Sequence, residues 1–150
     1  MATYAENKKA HIGFEVLETF QAGLVLNGQE VKSVKSGRIN LAGSYVVFRG
    51  KELFLVGANI PAYQPANAAA NYDAERARKL LLHAEELKYL IGKTQQKGLT
   101  LIPLKVYNQK RTLKLEFGLA KGKGKADKRE DIKKRDAKRE IERAIKQSTY

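Results

Sequence analysis

The chain has 150 residues, 43% of them hydrophobic, which suits one domain with a modest core. It carries 29 Lys and Arg against 16 Asp and Glu, a net charge of +13, and such an excess points to a polyanionic partner because it costs self-repulsion on folding. The absence of cysteine excludes disulfides and thiolate metal sites, and no apolar run reaches signal-peptide or transmembrane length, so cytoplasm is the expected compartment.

Ile12, Phe14 and Val16 alternate with polar or small residues, the period of a half-buried strand. Leu24, Val25 and Leu26 run into Asn27-Gly28, a turn signal. Gln29 to Lys35 suits a short helix with Gly37 as its stop. Tyr45 to Phe48 and Leu53 to Val56 flank Arg49-Gly50-Lys51-Glu52 and predict a hairpin. Ile60 to Ala70, with two prolines and many alanines, reads as a loop.

Arg78 to Leu82 fits either a strand or an extension of the following helix. That helix starts at His83, has Glu86 at its third position, carries the stripe Leu87, Leu90 and Ile91, and stops at Gly92. Leu99 to Tyr107 and Thr112 to Leu119 form a second hairpin around Asn108 to Arg111. In its second arm Leu113, Leu115, Phe117 and Leu119 share one face, with Lys114 and Glu116 on the other. These short strands and small helices predict a mainly β fold, an OB-like closed antiparallel barrel, though other RNA-binding barrels fit the pattern too.

Composition changes near residue 120. Residues 1–120 carry +7 and residues 121–150 carry +6, so one fifth of the length holds almost half of the excess. The expected organisation is therefore a barrel over 1–120, with residues 1–6 a flexible lead-in, and a basic tail over 121–150. Glycines open the tail, and Glu130/Lys134, Asp131/Arg135 and Glu142/Lys146 are spaced for helical ion pairs. Ala137, Ile141, Ala144 and Ile145 make too narrow a stripe to bury a core. Such a segment should be disordered alone and helical once phosphates neutralise its Lys and Arg.

Catalytic and metal signatures do not surround either histidine, His11 or His83. His83 reads as a helix-start residue, and His11 as a surface residue or an RNA contact. Gly122-Lys123-Gly124-Lys125 lacks the spacing of a nucleotide-binding loop. The basic clusters are Lys8-Lys9, Arg76/Arg78/Lys79 and the tail, and counterion release rewards each phosphate they meet. Phe14, Phe20 and Tyr45 are expected in the core. The absence of an aromatic recognition motif suggests that RNA shape is read more than single-stranded sequence.

A resemblance sharpens this reading. Asn7-Lys8-Lys9-Ala10, Phe20-x-Ala22-Gly23-Leu24, Gly28-x-Glu30-Val31-Lys32-Ser33, Gly37-Arg38-x-Asn40 and Ser44-Tyr45 occur in order. Gly57-Ala58-Asn59-Ile60, Arg78-Lys79-Leu80-Leu81-Leu82-His83, Ala120-Lys121-Gly122-Lys123 and Asp127-Lys128-Arg129-Glu130-x-Ile132-Lys133-x-Arg135-Asp136 follow. Together they resemble small protein B, the SsrA-binding protein family of bacteria, over nearly the whole chain.

The resemblance implies an OB-like six-stranded barrel bound to the tRNA-like domain of transfer-messenger RNA (tmRNA). It implies delivery of that RNA, with elongation factor Tu sharing it, to stalled ribosomes. The tail would then lie in the empty mRNA channel beside the decoding centre of the 70S ribosome. Such a protein is an adaptor with no cofactor, no metal and no membrane. By motif, Asn7, Lys8, Lys9, His11, Gly23, Glu30, Arg78, Lys79 and Leu81 are its RNA-binding set. Lys121, Lys123, Asp127, Lys128, Arg129, Lys133 and Arg135 are its ribosome-engaging set. Gln21 stands where the family usually has Glu, Ile12 where it commonly has His, and Ala126 where it has His or Tyr. The alternatives are a general ribosomal or tRNA-binding barrel and, from another class, an RNA-processing enzyme using His11 or His83.

Overall fold

A computed structural model describes residues 2–67 and 71–122, together with Arg135 and Arg139. Seven strands and three α-helices make up the regular structure of the described residues, with one 3-10 turn at Pro65–Asn67. They are β1 (Thr3–Glu6), α1 (Ala10–Gly13), β2 (Phe14–Leu24), α2 (Gly28–Lys35), β3 (Tyr45–Arg49), β4 (Glu52–Val56), β5 (Arg78–Leu81), α3 (Ala84–Thr94), β6 (Leu99–Gln109) and β7 (Thr112–Gly122). All pairings are antiparallel, in the order β1-β6-β3-β4-β5-β2-β7, and β7 pairs with β6 as well. The ladder thus runs round to β6 again, but unevenly. β2 and β6 lie along most of β7, whereas β3 meets β6 only where Val46 faces Leu101.

The expected count of six strands is corrected to seven. Residues 3–6, expected within a flexible lead-in, form β1 against β6, and Asn7 extends the contact by donating its backbone N–H to the Leu104 carbonyl at 2.7 Å. Ile12 is also corrected, from strand to α1. β2 is longer than its alternation suggested because a bulge between Val16 and Glu18 puts Leu17 out of phase and 49% exposed. Gly92 does not stop α3, which continues to Thr94, whose hydroxyl donates to the Leu90 and Ile91 carbonyls at 2.9 and 3.2 Å.

Elsewhere local chemistry decides, and Asn27-Gly28, expected as a turn, instead opens α2. In the β3–β4 hairpin Arg49 faces Glu52 across the two residues Gly50 and Lys51, and Gly50 takes a φ of +65° that a side chain would resist. Asn27 caps α2: its Oδ1 accepts the Glu30 N–H at 2.9 Å, while its own N–H donates to Glu30 Oε1 at 3.0 Å. Period-two alternation sends Leu53, Leu55, Leu80, Leu115, Phe117 and Leu119 inward, where Leu90 of α3 and Val34 of α2 join them. Each fully buried Leu or Phe contributes roughly 1.5–3 kcal/mol of transfer free energy. Gly118 is required by close approach, since a Cβ there would lie 2.9 Å from Val16 Cγ1.

Tyr45 departs from its expected core position. It is 50% exposed, whereas Phe20 packs on the core and stacks on Phe117 at 5.7 Å between ring centroids, and Phe14 covers a small second cluster.

Candidate nucleic-acid interface

Two surface clusters carry most of the RNA-binding set singled out by motif. The first stands at the start of the chain. Pro103 interrupts β6 beside a bulge, where a missing N–H is tolerated, and the carbonyls of Pro103 and Leu104 there face Asn7. Asn7 Nδ2 donates to the Pro103 carbonyl at 3.0 Å. This latch fixes the chain so that Lys8 and Lys9 emerge exposed just ahead of α1, which presents His11, also exposed. Beside them lies a groove of about 570 Å³, lined by Asn7, Lys8, His11, Lys105 and Glu116, with Arg135 and Arg139 also on its wall. Lys105 Nζ approaches Glu116 at 3.4 Å and lies 5.6 Å from the Tyr107 ring centroid.

The second cluster lies on β2 and β5. Gly23 faces Leu81 in register, and Leu81 is 54% exposed. A Cβ at Gly23 would sit 3.4 Å from Leu81 Cβ, so glycine keeps the shallow hollow beside the leucine open. Gln21, His83, Glu86 and Lys114 complete this hollow of about 250 Å³. Lys79 projects outward nearby, with its Nζ 3.5 Å from Glu52 Oε2.

Arg78 and Glu30 require correction as RNA contacts, because both are fully buried. Strand alternation turns Arg78 inward as it turns Lys79 outward. Arg78 Nε donates to Glu30 Oε2 at 2.8 Å, and its terminal nitrogens donate to the carbonyls of Ala58 and Ala74 at 2.7 and 2.9 Å. Arg76 pairs with the other Glu30 oxygen. Burial alone would raise the Glu30 carboxyl, but hydrogen bonds from Arg76, the Asn27 N–H and Arg78 outweigh it and hold the group below its ordinary value. These two residues brace α2 against β5 and cannot reach a phosphate.

Of the tail set, Lys121 is the penultimate residue of β7, exposed, in register with Glu15 and Leu99, and Arg135 lines the groove described above. Lys123, Asp127, Lys128, Arg129 and Lys133 lie outside the described residues.

The two histidines lie in different clusters. His83 opens α3, its N–H donating to Glu86 Oε1 at 3.4 Å, and His11 belongs to the first cluster. Among the described residues no group of three His, Asp or Glu could hold a metal ion, and no helix is long and apolar enough to cross a membrane. The motif reading missed Lys105 and Lys114, which frame the groove and the hollow. Lys114 was detectable, since it alternates with the apolar face of β7.

Comparison with known proteins gives a consistent result. The SmpB protein family matches residues 4–147. The SsrA-binding protein of Geobacillus kaustophilus is 50% identical over 143 residues, 95% of this chain and 92% of that protein. That of Polaromonas sp. is 49% identical over 142 residues, 95% of each chain. A solved chain from work described as "tmRNA-SmpB: a journey to the center of the bacterial ribosome" superposes with a TM-score of 0.66 at 44% identity, covering 85% of this chain and 93% of that one. The chain belongs to the SmpB protein family.

Proposed function

We propose that this protein is a tmRNA-binding adaptor of trans-translation, which brings tmRNA to stalled ribosomes and makes and breaks no bond itself. The observation that carries the reading is that the family match runs from residue 4 to 147, taking in the strands and the basic tail alike. Strands β2 to β7 then act as an OB-like closed barrel over residues 1–120, with β1 added on β6. Residues 121–150 are the tail: its first two residues complete β7, and the rest is disordered alone and helical in the mRNA channel near the decoding centre.

In this reading Asn7, Lys8, Lys9 and His11 form one RNA contact region, and Gly23, Lys79 and Leu81 the other. Glu30 and Arg78 support the second region from inside. Lys121, Lys123, Asp127, Lys128, Arg129, Lys133 and Arg135 engage the ribosome, elongation factor Tu joins through the shared RNA, and the cytoplasm is the site of action. Two measurements test it. Unlabelled tmRNA should displace labelled tmRNA at far lower concentration than bulk tRNA does; equal competition would favour a general tRNA-binding barrel. The combined Asp127→Ala, Lys128→Ala and Arg129→Ala variant should bind tmRNA almost normally yet fail in a reconstituted tagging assay. Normal tagging by that variant would refute the tail's role.

A further inference from the structure

The outer face of β3, β4 and β5 is unusually apolar for a surface this basic. Tyr45, Val47 and Arg49 point outward from β3, and Glu52, Phe54 and Val56 from β4, while their neighbours Val46, Leu53 and Leu55 are buried. Register places Tyr45 opposite Val56, Val47 opposite Phe54, and Phe54 opposite Lys79. Val47, Phe54 and Val56 are half-buried and do not join the core cluster. The Arg49 guanidinium lies 5.5 Å from the Phe54 ring centroid.

We propose that this face is a stacking platform for unpaired bases of a single-stranded RNA segment, centred on Phe54 and Val47 and edged by Tyr45 and Arg49. The proposal rests on the reading of the chain as an RNA binder. Three features choose RNA as the occupant. Arg49, Lys51 and Lys79 rim the face against the single acid Glu52, the charge balance a phosphate backbone needs. A half-exposed Tyr45 ring and a Phe54 ring with a guanidinium beside it suit base stacking, which tolerates any sequence. The face also joins the two proposed contact regions. At one edge Tyr45 shares a cleft of about 290 Å³ with Asn7 and Lys9, and at the other stand Lys79 and Leu81. Neighbouring strands lie about 4.8 Å apart, so a short extended segment would span the distance from β3 to β2. Recognition of RNA shape at the two clusters would thus be supplemented by capture of unstacked bases between them.

The test uses the full chain with a fluorescein-labelled ten-nucleotide oligouridine and, for comparison, a fully paired RNA duplex of equal charge. Phe54→Leu keeps an apolar side chain on the strand but removes the ring. It should weaken oligouridine binding about five- to a hundredfold, the range of one lost base–aromatic stack, and leave duplex binding within about twofold. Arg49→Gln should weaken oligouridine binding less. In case Phe54→Leu perturbs the fold, the unmodified protein should crosslink to 4-thiouridine within the peptide from Tyr45 to Val56. Unchanged oligouridine affinity, equal losses for both RNAs, or crosslinks confined to other peptides would each overturn the proposal. Loss of self-association in Phe54→Leu with oligouridine binding intact would overturn it in favour of a second copy of the chain. Failure of tmRNA to outcompete tRNA would defeat the adaptor reading and leave this measurement standing, since oligouridine is neither.

Discussion

Arg78 and Lys79 are adjacent in sequence and opposite in physics. Arg78 is fully buried, and all three of its nitrogens are hydrogen-bonded, to Glu30 and to two backbone carbonyls. The Lys79 side chain is 44% exposed and its single carboxylate neighbour, Glu52, is 55% exposed. One ion pair sits where water cannot relieve a broken contact, and the other where water and salt replace either partner readily. The comparison teaches that a run of basic residues in a strand is two populations: alternate positions brace the interior while the rest meet the solvent and any polyanion in it.

The strongest way to break the comparison is to remove the buried partner. Glu30→Gln leaves Arg78 charged in the interior and deprives Arg76 of its carboxylate, and should cost about 3–5 kcal/mol in urea unfolding. Tested on the folded fraction at low temperature, tmRNA affinity should be unchanged, because Glu30 does not reach the surface. A variant that unfolds normally but loses RNA binding would reverse the assignment. The same cluster gives an acid limit. The folded Glu30 carboxyl lies below its ordinary value of 4.5, so its stabilisation is fully present above that value and is lost as pH falls through the lower, folded value. The urea midpoint of the wild-type chain should therefore fall more steeply below about pH 4.5 than that of Glu30→Gln, which has no carboxylate to protonate at this site.

Next in size is the exposed cluster at the start of the chain. Lys8→Ala with Lys9→Ala removes two charges that touch no core, so stability should change by less than about 0.5 kcal/mol. If each lysine meets one phosphate, the slope of log affinity against log salt should lose about 1.4–1.8, and binding should weaken across RNA sequences alike. An unchanged slope in a salt titration would place both lysines off the RNA.

The contrast between Arg78 and Lys79 also marks how far the sequence could be read. The first hairpin was legible because two apolar runs flank Arg49-Gly50-Lys51-Glu52, and the second because Leu113, Leu115 and Phe117 alternate with polar residues. The helix α2 was legible from its polar run ahead of Gly37, although its capping box of Asn27 and Glu30 begins in Asn27-Gly28, which reads as a turn. The middle of β2 was not, since the bulge at Leu17 breaks the period on which a strand is recognised. Nor was the bracing role of Glu30, whose partners Arg76 and Arg78 lie 46 and 48 residues away, a pairing no local pattern encodes. Tyr45 begins an apolar run, which suggested burial, but its register opposite Val56 turns it to the outer face. In the candidate site, exposed Lys8, Lys9 and Leu81 were recognisable from motif. The hollow that Gly23 keeps open and the groove framed by Lys105 and Glu116 arise only when distant strands meet.

The smallest expected effect is the most discriminating, because it concerns the exposed pair itself. Glu52→Gln removes the carboxylate 3.5 Å from Lys79 and leaves the strand's hydrogen bonding and core unchanged. An exposed pair of this kind contributes about 0–1 kcal/mol, so the unfolding free energy should move by at most that amount. Its effect on RNA should have the opposite sign. In the wild-type chain Lys79 is partly neutralised by an internal counter-charge that a phosphate must displace. Without Glu52 the lysine is free to take a phosphate, and a local repulsion of the RNA backbone disappears as well. Affinity for tmRNA at low salt should rise by about two- to threefold, and its salt dependence should steepen because another condensed cation is released on binding. Parallel salt titrations of the wild-type and Glu52→Gln chains measure both quantities. An unaltered affinity with an unaltered slope would remove Lys79 from the RNA interface. A loss of more than about 2 kcal/mol in stability would show that the pair on the surface braces the fold as the buried one does.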